Sequence, residues 1–313
     1  MMNSRSLSLC LACALTGASM VACAPAKSPL AGDDVPLTQD EQLFQDGLAL
    51  YNATTPDYAG AQAKFDALLA GFPDSGRRDN AGYLGGRCRY EIGLYQDAIV
   101  ALEAMRAEQP DSPFASSAAY FTGRARYQLA DFEGAVIDFT AAVTVDAGAT
   151  YADNAAYYVG RSYYEAGLLT EAATAFASFE DAYPDSSYAD NGGYYHGRSL
   201  FDVDDFSGAR VQFERVLTIA DANGGSIYAD NGQYYSARSS YGLVELDPAL
   251  VGFQALVSDF PTSQYVDNSM YYEVRTLVDQ GHCADALVAL AALQTQFPAS
   301  PETARATTYA SGC

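Results

Sequence analysis

Self-similarity constrains this chain more than any other feature. Asn80, Ser117, Asn154, Asn191, Asn231 and Asn268 stand at successive intervals of 37, 37, 37, 40 and 37 residues. Three residues beyond each comes a tyrosine: Tyr83, Tyr120, Tyr157, Tyr194, Tyr234 and Tyr271. Seven beyond comes an arginine: Arg87, Arg124, Arg161, Arg198, Arg238 and Arg275. A second register runs through Ala61, Ala98, Ala135, Ala172, Ala209, Ala249 and Ala286, each followed four residues later by Phe or Leu. Eight beyond those stand Pro73, Pro110, Pro184, Pro261 and Pro298, with Ala147 and Asp221 replacing two prolines. A fixed period of this size means one supersecondary unit repeated, each copy burying its apolar face on its neighbours.

Each unit reads as a pair of helices. Small residues before the arginines (Gly86, Gly123, Gly160, Gly197 and Ala237; Val274 is the exception) let two helices approach. The Phe or Leu of the second helix fills the gap between them. Proline ends the second helix. Ser75, Ser112, Ser186, Ser226 and Ser263 are expected to cap the next helix, and Thr38 with Glu41 resembles a capping box for an irregular first helix near 39–51. The extra residues of the 40-residue interval fall between Asp221 and Asn231, where a connecting loop absorbs length cheaply.

The order Gly, Ala, Phe, Pro resembles the tetratricopeptide repeat over residues 39–298, with a longer period and Tyr in place of the usual Trp. That resemblance implies an all-α, right-handed superhelical solenoid of about seven helix pairs with a C-terminal capping helix. The expected repeats are 38–75, 76–112, 113–149, 150–186, 187–226, 227–263 and 264–299, with a cap over 300–313. The long repeat is similar to those of two envelope proteins: the lipoprotein of the outer-membrane β-barrel assembly machinery and the periplasmic repeat protein of the Tol–Pal system. Fold-level likeness alone does not fix function.

The N-terminus reads as an export signal over residues 1–22, with Arg5 before the apolar run Leu7–Ala22. Met20-Val21-Ala22-Cys23 resembles a lipobox, which implies lipid on Cys23 and a tether over 23–37. Ala24 after the cysteine implies the outer membrane, facing the periplasm; an ordinary cleaved signal and a soluble periplasmic protein is the alternative. A net charge of −22 argues against nucleic acid as a partner. Two histidines in different repeats, and the absence of Walker, GxSxG, HExxH and CxxC motifs, argue against a metal site, a cofactor and an enzyme.

The candidate binding residues lie on the first helices. At 100° per residue the Asn, the Tyr at +3, the Arg at +7 and the +10 aromatic share an arc of about 80°. The resemblance places first helices on the concave face. Asn154, Asn191 and Asn231, Tyr157, Tyr194 and Tyr234, and Arg161, Arg198 and Arg238 form the central ladder, suited to an extended peptide with acidic groups. The competing reading is structural: each Arg neutralises the acidic residue four positions on (Glu91, Glu165, Asp202, Asp279) or the next repeat's Asp. Cys283 and Cys313 are expected to meet as a disulfide in an oxidising compartment, because the cap returns antiparallel to the last paired helix. His196 reads as structural and Cys88 as a buried thiol. The expected role is a scaffold or adaptor for periplasmic or outer-membrane proteins or peptides. β-Barrel assembly, or a peptidoglycan-associated or division-linked accessory role, are the alternatives.

Overall fold

The computed structural model describes residues 36–223 and 225–313; the signal segment and Cys23 lie outside the described residues. Residues 39–313 form one compact unit. Its elements are α1 (Gln39–Tyr51), α2 (Tyr58–Gly71), α3 (Arg78–Glu91), α4 (Tyr95–Glu108), α5 (Ala115–Gln128), α6 (Phe132–Val145), α7 (Ala152–Glu165) and α8 (Leu169–Ala182). These are followed by α9 (Ala189–Asp202), α10 (Phe206–Asn223), α11 (Ala229–Gly242), α12 (Leu246–Asp259), α13 (Val266–Asp279), α14 (Cys283–Gln296) and α15 (Pro301–Tyr309). Helices α1 to α14 make seven antiparallel pairs, and α15 packs on α13 as the cap. The fold is an all-α, tetratricopeptide-like superhelical solenoid.

Within each pair the small residue of the first helix meets the large one of the second. A methyl group added at Gly123, Gly160 or Gly197 would fall 2.8, 2.7 and 2.7 Å from the rings of Phe139, Phe176 and Phe213. Those three rings are fully buried, which contributes about 1.5–3 kcal/mol each. Where Ala237 replaces the glycine, Gly252 on α12 supplies the missing space: its own added methyl would lie 2.8 Å from Ala237 Cβ. In the irregular first repeat Gly47 plays the same part against Phe65.

Three local expectations need correction. The serines stand two residues before the N-caps Arg77, Phe114, Tyr188, Tyr228 and Tyr265, none of which makes a side-chain cap. Each serine instead closes a pre-helical turn, as Ser186 Oγ does by accepting from Tyr188 N at 3.1 Å. Its hydroxyl donates to the aspartate of the preceding repeat: Ser112 to Asp79, Ser186 to Asp153, Ser226 to Asp190 and Ser263 to Asp230, at 2.7–2.9 Å. The same aspartates were an expected partner of the arginines. The hydroxyls take them because a short Ser reaches the helix start, whereas the Arg lies two turns further along. The third correction is the 40-residue interval: with Asp221 where proline would stop the helix, α10 runs on through Asn223 before Gly225, at φ +132°, breaks it.

The turns inside each pair share a feature the sequence reading passed over. Gly93, Ala130, Gly167, Asp204, Val244 and Gly281 occupy one register, and all have φ between 59° and 81°. A left-handed residue ends each first helix from α3 to α13, and glycine fills three of these six sites.

Successive first helices touch one another (α3 with α5, α5 with α7, α7 with α9, α9 with α11), while no two successive second helices make comparable contacts among the described residues. The first helices therefore line the tighter, inner side of the curve.

Candidate binding site on the inner face

The inner-face phase of the first helices is an interlocked aromatic and guanidinium stack. Tyr157, Tyr194 and Tyr234 are 2, 7 and 4% exposed, so their ring faces are closed to a ligand. Each is covered by a tyrosine of the following repeat: Tyr157 by Tyr188 at 4.6 Å, Tyr194 by Tyr228 at 4.6 Å and Tyr234 by Tyr265 at 4.4 Å between ring centres. The covering row stands three residues before each anchor Asn, beginning with Phe114 and Tyr151. It was missed as a functional row although it keeps the same register.

The arginines are clasped in the same way. Arg161 lies over the Tyr195 ring of the next repeat at 3.7 Å, Arg198 over Tyr235 at 4.4 Å and Arg238 over Tyr272 at 4.4 Å. Those rings stack in turn on Phe176, Phe213 and Phe253 of the preceding repeat's second helix. Arg161 donates to Tyr157 Oη at 3.2 Å, to Tyr127 Oη of the repeat before at 3.2 Å, and to Glu165 at 2.5 Å. One guanidinium thus joins three repeats. Arg124, Arg198 and Arg238 donate to their own Tyr120, Tyr194 and Tyr234 hydroxyls at 2.8, 3.1 and 3.0 Å. The Nε atoms of Arg87, Arg124, Arg161, Arg198 and Arg275 are buried without a hydrogen-bond partner. Their position against aromatic faces supplies weak compensation from the π-systems.

Electrostatics follow from this packing. Burial is the largest single influence on Arg161 and would lower its pKa, but Tyr157, Tyr195 and Glu165 together outweigh it and the net shift is upward, so the group stays charged. Burial also raises the tyrosines: Tyr157 and Tyr194 shift upward, and Tyr120 and Tyr234 are pushed up to about 12. Charge pairing is uneven along the ladder. Arg87 pairs with Glu91, Arg161 with Glu165 and Arg198 with Asp202, at 3.5, 2.5 and 3.4 Å. Arg124 and Arg238 have Gln128 and Gly242 at the equivalent place, and neither has a carboxylate within 4.0 Å among the described residues. Asn154 and Asn191 donate to Tyr188 and Tyr228 hydroxyls at 3.3 and 3.4 Å, and Asn231 is half-buried in the same phase.

The remaining singled-out residues lie elsewhere. His196 is buried, with Nδ1 3.2 Å from Glu180, whose same oxygen accepts from Arg215 at 2.6 Å. Cys88 is a buried free thiol pushed up to about 12 by desolvation. Cys283 and Cys313 are joined by a disulfide that ties the cap to the start of α14. Among the described residues there is no cluster able to hold a metal ion, and no helix is long and apolar enough to cross a membrane.

Comparison with known proteins sets this geometry in a family. The profile of the YfiO outer membrane lipoproteins matches residues 114–270, half of the chain, from α5 to α13. The chain belongs to the YfiO family. This YfiO-family lipoprotein is therefore placed at the outer membrane, facing the periplasm, and its repeat fold is a non-catalytic protein-interaction module. No curated protein matches the sequence. Solved structures match the fold. The C-terminal part of a tetratricopeptide-repeat protein from Cytophaga hutchinsonii is 16% identical, with 85% of this chain and 97% of that chain covered and a TM-score of 0.61. YrrB, described as a tetratricopeptide-repeat protein with an unusual peptide-binding site, is 16% identical over 66% of this chain and 98% of its own, with a TM-score of 0.53. A repeat protein from Parabacteroides merdae is 11% identical over 87% and 98%, with a TM-score of 0.51.

Proposed function

We propose that this lipoprotein is a scaffold of outer-membrane β-barrel assembly, held to the membrane through lipid on Cys23. The observation that carries the reading is the YfiO match, which spans the central repeats where the inner-face stack is most regular. A rigid stacked array suits a scaffold, because each guanidinium shared between repeats fixes their relative angle and so the spacing of whatever binds along them. Within the inner face the roles divide. Arg161 and Arg198, already neutralised by Glu165 and Asp202, hold the stack together with Tyr157, Tyr194 and Tyr234. Contact with an acidic partner segment falls on Arg124 and Arg238, which have no carboxylate within 4.0 Å among the described residues.

The test is depletion of the protein in its host. The β-barrel proteins of the outer membrane should fall together while periplasmic proteins hold their level, and affinity purification of the mild-detergent extract should retain a β-barrel protein. Unchanged barrel levels with no barrel protein retained would refute the proposal. Cys23→Ala tests the anchor: it should move the protein from the membrane pellet to the soluble periplasm, and a variant still sedimenting after a salt wash would refute lipidation.

A further inference from the structure

On the outer side of the solenoid, grooves run between successive second helices, floored by the first helix between them. Charged or polar pairs line five of the six, although the second still holds a cleft of about 380 Å³ beside Glu103 and Arg106. In the first groove Arg89–Asp66 and Arg78–Glu108 tie the floor helix α3 to α2 and to α4, and Arg106–Asp138 crosses the second. Arg215–Glu180 crosses the fourth and Arg210–Glu245 the fifth, and in the last Gln254 ties α12 to Glu273 on the floor helix α13. The third groove, between α6 and α8 over α7, has no such pair among the described residues; Tyr183 Oη donates to the Ala147 carbonyl at one end.

The sequence register explains the opening. Val143, Val159 and Ser178 occupy the positions that Glu180, His196 and Arg215 occupy one repeat later, so the polar triad that fills the next groove is replaced by apolar and small groups. Ala142 stands in the phase of Leu68, Met105, Phe179, Val216, Leu256 and Leu293, which leaves room beneath. The Asp–Ser bridge is missing from the same repeat at both ends: Ser116 replaces the aspartate and Ala149 the serine. What remains is a cleft of about 390 Å³ lined by Val143, Ala147, Ala156, Val159, Phe179 and Tyr183. Ala156 and Val159 lie at +2 and +5 from Asn154, on the opposite side of α7 from Arg161, so the cleft is separate from the inner face.

The charge around the cleft identifies its occupant. Helices α6 and α8 carry no lysine or arginine, no residue lining the cleft is charged, and Asp146, just after α6, and Asp181 on α8 are exposed next to the lining residues Ala147 and Ala182. An adjoining cleft that shares Ala147, Ala182 and Tyr183 is lined by Asp153 and Asp185. We propose that this outer groove docks an amphipathic helix of a partner protein, with large apolar side chains seated between α6 and α8 and lysines or arginines against the acidic rim. A helix laid between two others needs an apolar stripe at i, i+3 and i+4, and it reproduces the packing that each first helix makes from below. The inference is independent of which envelope pathway the protein serves.

The chain has no tryptophan, so a synthetic amphipathic helix with leucine on one face, lysine on the other and one tryptophan reports its own binding by fluorescence. Val143→Glu with Ser178→Arg rebuilds the ion pair of the next groove across this one and leaves the net charge unchanged. The wild type is expected to bind saturably, with a blue shift, and the double variant at least tenfold more weakly at equal helicity. Ser178→Phe, which fills the cleft with its own ring, should do the same if the double variant misfolds. Equal affinity for wild type and variants, or equal binding of a peptide with glutamate in place of lysine, would overturn the proposal. So would a wild-type dimer in sedimentation that the double variant loses, because the occupant would then be a second copy of this chain.

Discussion

Replacing Arg161 by Met keeps the aliphatic stem and removes the guanidinium. The structure gives the cost in parts. The cation–π contact with Tyr195 at 3.7 Å is half-buried and contributes about 1–2 kcal/mol. The pair with Glu165 is an i, i+4 contact with a 36% exposed carboxylate and adds about 0.3–0.5 kcal/mol. The Tyr157 hydroxyl, buried and deprived of its donor, costs about 1 kcal/mol more. The total is about 2–4 kcal/mol, which lowers a melting temperature by roughly 5–12 °C in a domain of this size. Because the contact crosses a repeat boundary, a double-mutant cycle with Tyr195→Leu isolates it, and a coupling of about 1–2 kcal/mol is expected from urea denaturation. Arg161→Lys should lose most of the same stability, since an ammonium keeps the charge without the planar fork. Normal melting of Arg161→Met, or a cycle additive within about 0.5 kcal/mol, would show that the arginine does not hold the stack.

Three further outcomes are expected. Tyr120 and Tyr234, neutral in the fold and pushed up to about 12, ionise near 10 once unfolded, so their stabilisation is complete below pH 10 and is lost as pH rises toward 12. The part of the absorbance at 295 nm that Tyr120→Phe with Tyr234→Phe removes should therefore change together with circular dichroism in that window, and that part appearing near pH 10 with helicity intact would contradict it. Val244, a β-branched residue at φ +62° and 75% exposed, makes Val244→Gly stabilising by about 1 kcal/mol in thermal melts, and a lower melting temperature would refute the strain. The disulfide spans a separation of 30 residues and stabilises the cap by about 3–4 kcal/mol. A soluble variant lacking Cys23, denatured without reductant, should label one thiol, Cys88, where three would refute the bridge.

The repeat register alone determined the architecture of the described region, because a periodic pattern of small, large and stopping residues has few packed solutions. Gly160 against Phe176 was legible as a pairing before any coordinate, since spacing on two helices dictates which residues must face each other. The ladder of Asn154, Tyr157 and Arg161 was legible as one helical face for the same reason. Its burial was not. Whether that face meets solvent or the next repeat depends on the angle between repeats, and Tyr188 and Tyr195 reach across that boundary to cover it. The exchange of partners between serine, aspartate and arginine was hidden likewise, because several donors and acceptors recur at every repeat and reach alone decides among them. The outer groove is the clearest case. Val143, Val159 and Ser178 are unremarkable in sequence, and only the packing of α6, α7 and α8 shows that together they leave out the polar triad that closes the next groove.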